Sequence, residues 1–153
     1  MAKAEFVVDK DKLEVRLTRV FNATPERLWQ AHTDPEQIVK WWENTKVDKL
    51  DFKVGGAWRF VSQGGDGKEY AFRGDYKEID QPSKIVRTFE FEGMPGHVMT
   101  ESLTLEAQPD GKTKQTTISK FANTDDMNGM VSMGMEEGAE AGLERLAKVV
   151  ESN

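Results

Sequence analysis

Two histidines, His32 and His97, and one cross-strand charge pair, Arg87 with Glu101, are the residues of this chain whose type and placing could do chemistry. An imidazole exchanges a proton near neutral pH. A guanidinium beside a carboxylate on an apolar wall can orient a bound polar group. Partners in an antiparallel hairpin have position numbers that add to a constant. Closing the strands around Gly93-Met94-Pro95-Gly96 therefore sets Arg87 opposite Glu101, Phe89 opposite Met99, Ile85 opposite Leu103 and Phe91 opposite His97. A slip of one residue would turn every one of them to the other face. The alternative is a surface pair worth ~0.2–1 kcal/mol. His97 lies beside the turn and is expected to be exposed. His32 lies just before a helix cap and is expected to serve local backbone groups.

A second hairpin, around Gly64-Gly65-Asp66-Gly67, pairs Trp58 with Phe72 and Phe60 with Tyr70. Four aromatics then share one face, opposite Arg59, Ala71 and Arg73. Such a stripe is either core or the wall of a pocket. Other catalytic machinery is missing. No His-x-x-x-His or carboxylate cluster has metal-ligand spacing, and no Gly-x-Ser-x-Gly elbow occurs. The Gly64 to Gly67 run lacks the Gly-Lys-Ser/Thr of a phosphate loop. No cofactor or metal is expected.

The elements that must position these residues are legible in order. Leu13 to Val20 alternates apolar and polar, as a half-buried strand does. Thr24-Pro25-Glu26 and Asp34-Pro35-Glu36-Gln37 each start a helix, with Gln37 placed for a capping box. The second helix carries Trp41 and Trp42, which are adjacent and expected to face different ways. Six strands follow: Asp48 to Phe52, Ala57 to Ser62, Glu69 to Ile79, Ile85 to Phe91, His97 to Leu105 and Thr113 to Phe121. Their hairpins imply an antiparallel sheet.

Asp125 to Glu151 reads as one long helix with Gly134, Gly138 and Gly142 on one stripe. Each glycine costs ~1 kcal/mol relative to Ala, so the stripe gives up stability for space. Either the backbone lies close to the sheet or the bare face leaves room for something else. Met127, Met130, Met133 and Met135 crowd its first half, and Met suits an irregular, adaptable lining.

The chain has 153 residues, 37% hydrophobic and 31% charged, which suits a single domain over 1–153. A net charge of −6 argues against a nucleic-acid or anionic-membrane partner. The absence of cysteine excludes disulfides and thiolate chemistry. Neither a signal peptide nor a membrane-spanning run is present, and a cytoplasmic place is expected.

Several motifs, in this order, resemble the activator-of-Hsp90-ATPase-like branch of the START/Bet v 1-like superfamily. They are Arg19-Val20-Phe21-Asn22-Ala23-Thr24-Pro25 with Leu28-Trp29, Thr33-Asp34-Pro35-Glu36 leading to Trp41-Trp42, and Gly55-Gly56-Ala57-Trp58-Arg59-Phe60. Gly74-Asp75-Tyr76 with Ile79-Asp80-Gln81-Pro82, Thr88-Phe89-Glu90-Phe91, and Gly138 with Leu143-Glu144-Arg145-Leu146 continue the series. The resemblance implies an α+β helix-grip fold, a curved antiparallel sheet around a long C-terminal helix with a cavity between them. In the family a Trp often follows the glycine equivalent to Gly138; here Ala139 stands there. The leading expectation is a hydrophobic or aromatic small molecule held in that cavity. Its expected contacts are Trp41, Trp58, Phe60, Tyr70, Phe72, Arg87, Phe89, Met99, Glu101, Met127 and Met130, with Arg87, Glu101 or Tyr70 orienting a polar end. A protein-interaction module like the co-chaperone domain, and a cyclase- or hydrolase-type enzyme using the same cavity, are the alternatives.

Overall fold

The computed structural model describes residues 4–151; residues 1–3 and 152–153 of the expected domain lie outside the described residues. Eight antiparallel strands form one sheet: β1 (Glu5–Asp9), β2 (Glu14–Phe21), β3 (Thr45–Leu50), β4 (Ala57–Gln63), β5 (Glu69–Asp80), β6 (Lys84–Phe91), β7 (Val98–Ala107) and β8 (Thr113–Lys120). Their spatial order is β1-β2-β8-β7-β6-β5-β4-β3. Helices α1 (Pro25–Thr33) and α2 (Pro35–Trp41) carry the chain from β2 near one edge to β3 at the other. Helices α3 (Thr124–Ser132) and α4 (Met135–Val150) end it. This is the helix-grip architecture. β1 is a strand beyond those expected; it pairs with β2 and lends Phe6 and Val8 to a core cluster.

The helix starts follow from their caps. The Thr24 hydroxyl accepts from Arg27 N at 3.2 Å, and the Asp34 carboxylate from Glu36 N at 3.0 Å, with Pro at the first helical position in both. The capping box expected of Gln37 does not form. The Asp34 N–H that it would bind already donates to Gln30 O, and Gln37 Oε1 stays buried without a partner.

The β6–β7 register is the expected one: Arg87 faces Glu101, Phe89 faces Met99 and Ile85 faces Leu103. The β4–β5 register differs. Phe60 pairs with Phe72, Ser62 with Tyr70 and Trp58 with Gly74, because Gly64 N–H bonds to Lys68 O and the loop takes in Lys68. The slip is two residues along β5, so the faces are unchanged. Gly74 is required where it stands. A side chain there would overlap the Thr88 carbonyl and crowd the indole of Trp58, whose N–H donates to that same carbonyl at 3.2 Å.

The C-terminal helix is not continuous. Gly134 takes φ +89°, a left-handed conformation that glycine adopts without steric cost, and it separates α3 from α4. Gly134 therefore leaves the expected glycine stripe. The second half of α4 is pinned through Leu143, Leu146, Ala147 and Val150, which are buried at helical spacing. Arg19 Nη1 donates to Glu144 at 2.7 Å, Arg27 Nη2 to Val149 O at 3.0 Å and Arg145 Nε to Trp41 O at 2.9 Å. The first half stands away from the sheet: a Cβ added to Gly138 would meet nothing within 4 Å.

Candidate functional site

A cavity of about 470 Å³ lies under that first half of α4. Leu17, Ile38, Phe60, Ile85, Phe89 and Leu103 make apolar walls, and Gly138, Ala139 and Gly142 form the helix side. The glycine stripe thus makes space, the second of the two readings open from sequence. Glu43 and Gly138 are exposed and mark the open side; Trp41 and Trp42 stand half-buried among the lining. Both tryptophans face the cavity, contrary to expectation. Trp41 is the last residue of α2, and Trp42 leaves the helix with ψ 95°, which swings the second indole back beside the first.

Polar groups gather on the inner wall. Arg87 Nε and Nη2 both reach Oε1 of Glu101 at 2.9 Å. Their side chains are only 15% and 21% exposed. The guanidinium lies over the Trp58 ring, 4.3 Å from its centroid, so one face is held by a cation–π contact. His32 and Gln115 also line the cavity, where the His32 Nε2–H donates to Gln115 Oε1 at 2.8 Å. His32 is half-buried in this lining. Burial, with the nearby Arg87 charge, lowers the His32 pKa to about 4, against smaller opposing effects of Gln115 and Glu101. Tyr76 completes the group, and burial pushes its phenol above the ordinary value.

The expected contacts separate into three places. Trp41, Phe60, Arg87, Phe89, Met99 and Glu101 line this cavity. Tyr70, Phe72 and Met130 do not; with Phe89 and Met99 they line a second hollow of about 410 Å³ beneath α3. The Tyr70 hydroxyl is held by Asp66 at the β4–β5 turn, too far along β5 to orient a group beside Arg87. Trp58 and Met127 line neither hollow. Trp58 backs Arg87 from the core, and Met127 is fully buried with Val15, Met99 and Phe121. His97 is exposed as expected, on the rim of the second hollow, with Nδ1 2.7 Å from Asp126. His32, expected to serve local backbone groups, bonds instead to the Gln115 side chain, and no sequence signal marks Gln115 or Tyr76. One signal existed for His32: it lies four residues after Leu28 and three after Trp29, on the inward face of α1. Among the described residues no group of three or more His, Asp or Glu could hold a metal ion.

The model of the family described as "Activator of Hsp90 ATPase homolog 1-like protein" matches residues 22–151. The chain belongs to that family. No curated protein matches it. Among solved structures, protein Ms6760 from Mycobacterium smegmatis is similar with TM-score 0.89 and 24% identity, over 100% of this chain and 99% of that one. A protein from Arthrobacter aurescens gives TM-score 0.88 and 26% identity over 96% and 91% of the two chains. Protein CV1439 from Chromobacterium violaceum gives 0.78 and 28% over 92% and 99%. Family membership accounts for the sheet and the enclosing helix. No helix among the described residues is long and apolar enough to cross a membrane.

The low pKa of His32 makes a pH prediction. The unfolded imidazole titrates near 6.5 and the folded one near 4. Between those values the unfolded state binds more protons, so this contribution is fully present above pH 6.5 and is lost as pH falls toward 4. The loss is about 3 kcal/mol if no other group compensates. Denaturant midpoints at pH 7 and pH 5 should therefore fall more steeply for the wild type than for His32→Gln. Equal slopes would mean that the imidazole is effectively hydrated.

Proposed function

We propose that this chain is a cytoplasmic carrier or receptor that binds a hydrophobic or aromatic small molecule in the cavity between sheet and α4. The observation that carries the reading is the Arg87–Glu101 pair, with His32, Gln115 and Tyr76 beside it, inside a cavity whose other walls are mainly apolar. Replacing such a pair by apolar residues is often neutral or stabilising. Its place inside the cavity is thus explained better by orienting a ligand than by holding the fold. Apolar burial supplies the affinity, ~25 cal/mol per Å² before the costs of association. Arg87 and Glu101 fix the polar end.

Native mass spectrometry of the protein purified from its own host is expected to show one retained small molecule. The neutral dye N-phenylnaphthylamine should bind one per chain with enhanced fluorescence, and the retained molecule should displace it. A bare protein that leaves the dye dark would overturn the reading. An interaction module remains the second reading, favoured by Met94, Met130 and Met133, which are 50%, 37% and 77% exposed around the second hollow. A partner docking there would leave dye binding in the cavity intact.

A further inference from the structure

We propose that the cavity and the methionine-lined hollow beside it form one continuous site for an elongated, uncharged amphiphile. Its hydrogen-bonding head lies at Arg87 and Glu101, and its unbranched hydrocarbon arm runs beneath α3. The inference rests on the reading of the cavity as a ligand site and adds the shape and charge of the ligand.

Continuity comes from shared walls. Phe89, Met99 and Met135 line both hollows, so these three side chains are the partition between them. Two of the three are methionines, unbranched and with three rotatable bonds, which can move aside without a backbone shift. Met135 is the first residue of α4, directly after the left-handed Gly134 that breaks the helix. The outer hollow is walled by Phe72, Phe91 and Phe121 on the sheet side and by Met130 and Met133 on the helix side. Met127 is the one buried side chain of α3, while Gly129 and Met130, with Met133 just after the helix, line the hollow and are exposed. Gly129 lines the hollow, and a Cβ there would meet nothing within 4 Å. An apolar hollow that continues from a polar end past flexible side chains suits a straight chain better than a branched or globular ligand.

The charges select the head. Arg87 already faces Glu101, and His32, held below its ordinary pKa by burial, is neutral at pH 7. The inner wall is balanced. A carboxylate or an ammonium would bring in a charge with no free counter-charge, which is costly in an apolar space. An amide or alcohol can instead accept from Arg87 and donate to Glu101.

The test is displacement of N-phenylnaphthylamine by hexanamide, octanamide, decanamide and dodecanamide, with decanoate and decylamine as charged controls. Affinity should rise by roughly threefold to fourfold per added methylene and should still rise at the longest member. Decanamide should bind at least tenfold more tightly than either charged control. Gly129→Phe fills the outer hollow from a helical position with open space before it, and its melting temperature should match the wild type. It should retain hexanamide binding and lose most of the gain from hexanamide to dodecanamide. A wild-type gain that stops after hexanamide, a gain that survives Gly129→Phe, or charged heads that bind as well as the amide would each overturn this inference while the cavity reading stands. Dye binding with no displacement by any amide would do the same. Failure of the dye itself to bind would overturn both.

Discussion

Replacing Glu101 by Gln is expected to destabilise the fold by about 2–4 kcal/mol. The carboxylate is the partner of a guanidinium that is 15% exposed, and both donor nitrogens reach a single oxygen at 2.9 Å. An amide keeps an acceptor there but removes the charge. Arg87 then keeps the Tyr76 hydroxyl beside it and a cation–π contact with the Trp58 ring. That contact is worth ~0.5–2 kcal/mol, which is why the expected loss lies below the upper end for fully buried pairs. Arg87→Met removes the charge altogether and leaves Glu101 unpaired, so it should cost a similar amount. The double variant Arg87→Met, Glu101→Met should recover most of the loss, because neither charge is then stranded. Denaturant midpoints for the three variants decide the matter. Losses below ~1 kcal/mol that simply add would mean that water reaches both groups freely.

This pair shows what was legible in the chain. The hairpin rule needs only a turn and two strands, and Gly93 to Gly96 gave both, so the β6–β7 register was fixed by local chemistry. The β4–β5 register came out two residues away, because a run of glycines around Asp66 marks a turn without saying where it closes. The faces survived since side-chain direction repeats every two residues. β1 is not legible in the sequence, because Glu5 to Asp9 is short and lacks clear alternation, and its stability comes from pairing with β2. Gly134 looks in the sequence like one more helical glycine, since nothing local distinguishes a left-handed break from a helical site.

The site was less legible than the fold for a tertiary reason. Its polar wall draws His32 from α1, Tyr76 from β5, Arg87 from β6, Glu101 from β7 and Gln115 from β8. β8 reaches that wall only because it lies between β2 and β7 in the sheet, an order that no hairpin announces. Methionine content pointed to a lining in α3, and Met130 does line a hollow, but helical rotation drives Met127 into the core instead. Tyr70 shares a face with Phe72 yet sits at the far end of it. Sharing a face and sharing a cavity are different conditions, and the difference is distance along the strand.

Ala139→Trp is expected to abolish binding of N-phenylnaphthylamine while stabilising the fold by about 1–2 kcal/mol. Ala139 is half-buried on the helix side of the cavity, beside Gly138 with its open space. An indole buries 150–250 Å² (about 4–6 kcal/mol at 25 cal/mol per Å²) if it fills the space completely. Lost rotamer freedom, imperfect fit and the wet open side of the cavity reduce that figure to the smaller one expected. The sign separates the two states that the cavity could be in. A standing void accepts the ring, gains stability and excludes the dye. Walls that close up in solution would be overpacked by the same ring, at a cost of ~1–3 kcal/mol. Denaturant midpoints give the sign, and dye titration gives the occupancy. A destabilised variant that still binds the dye would place the ligand elsewhere and contradict the role given to the space beneath α4.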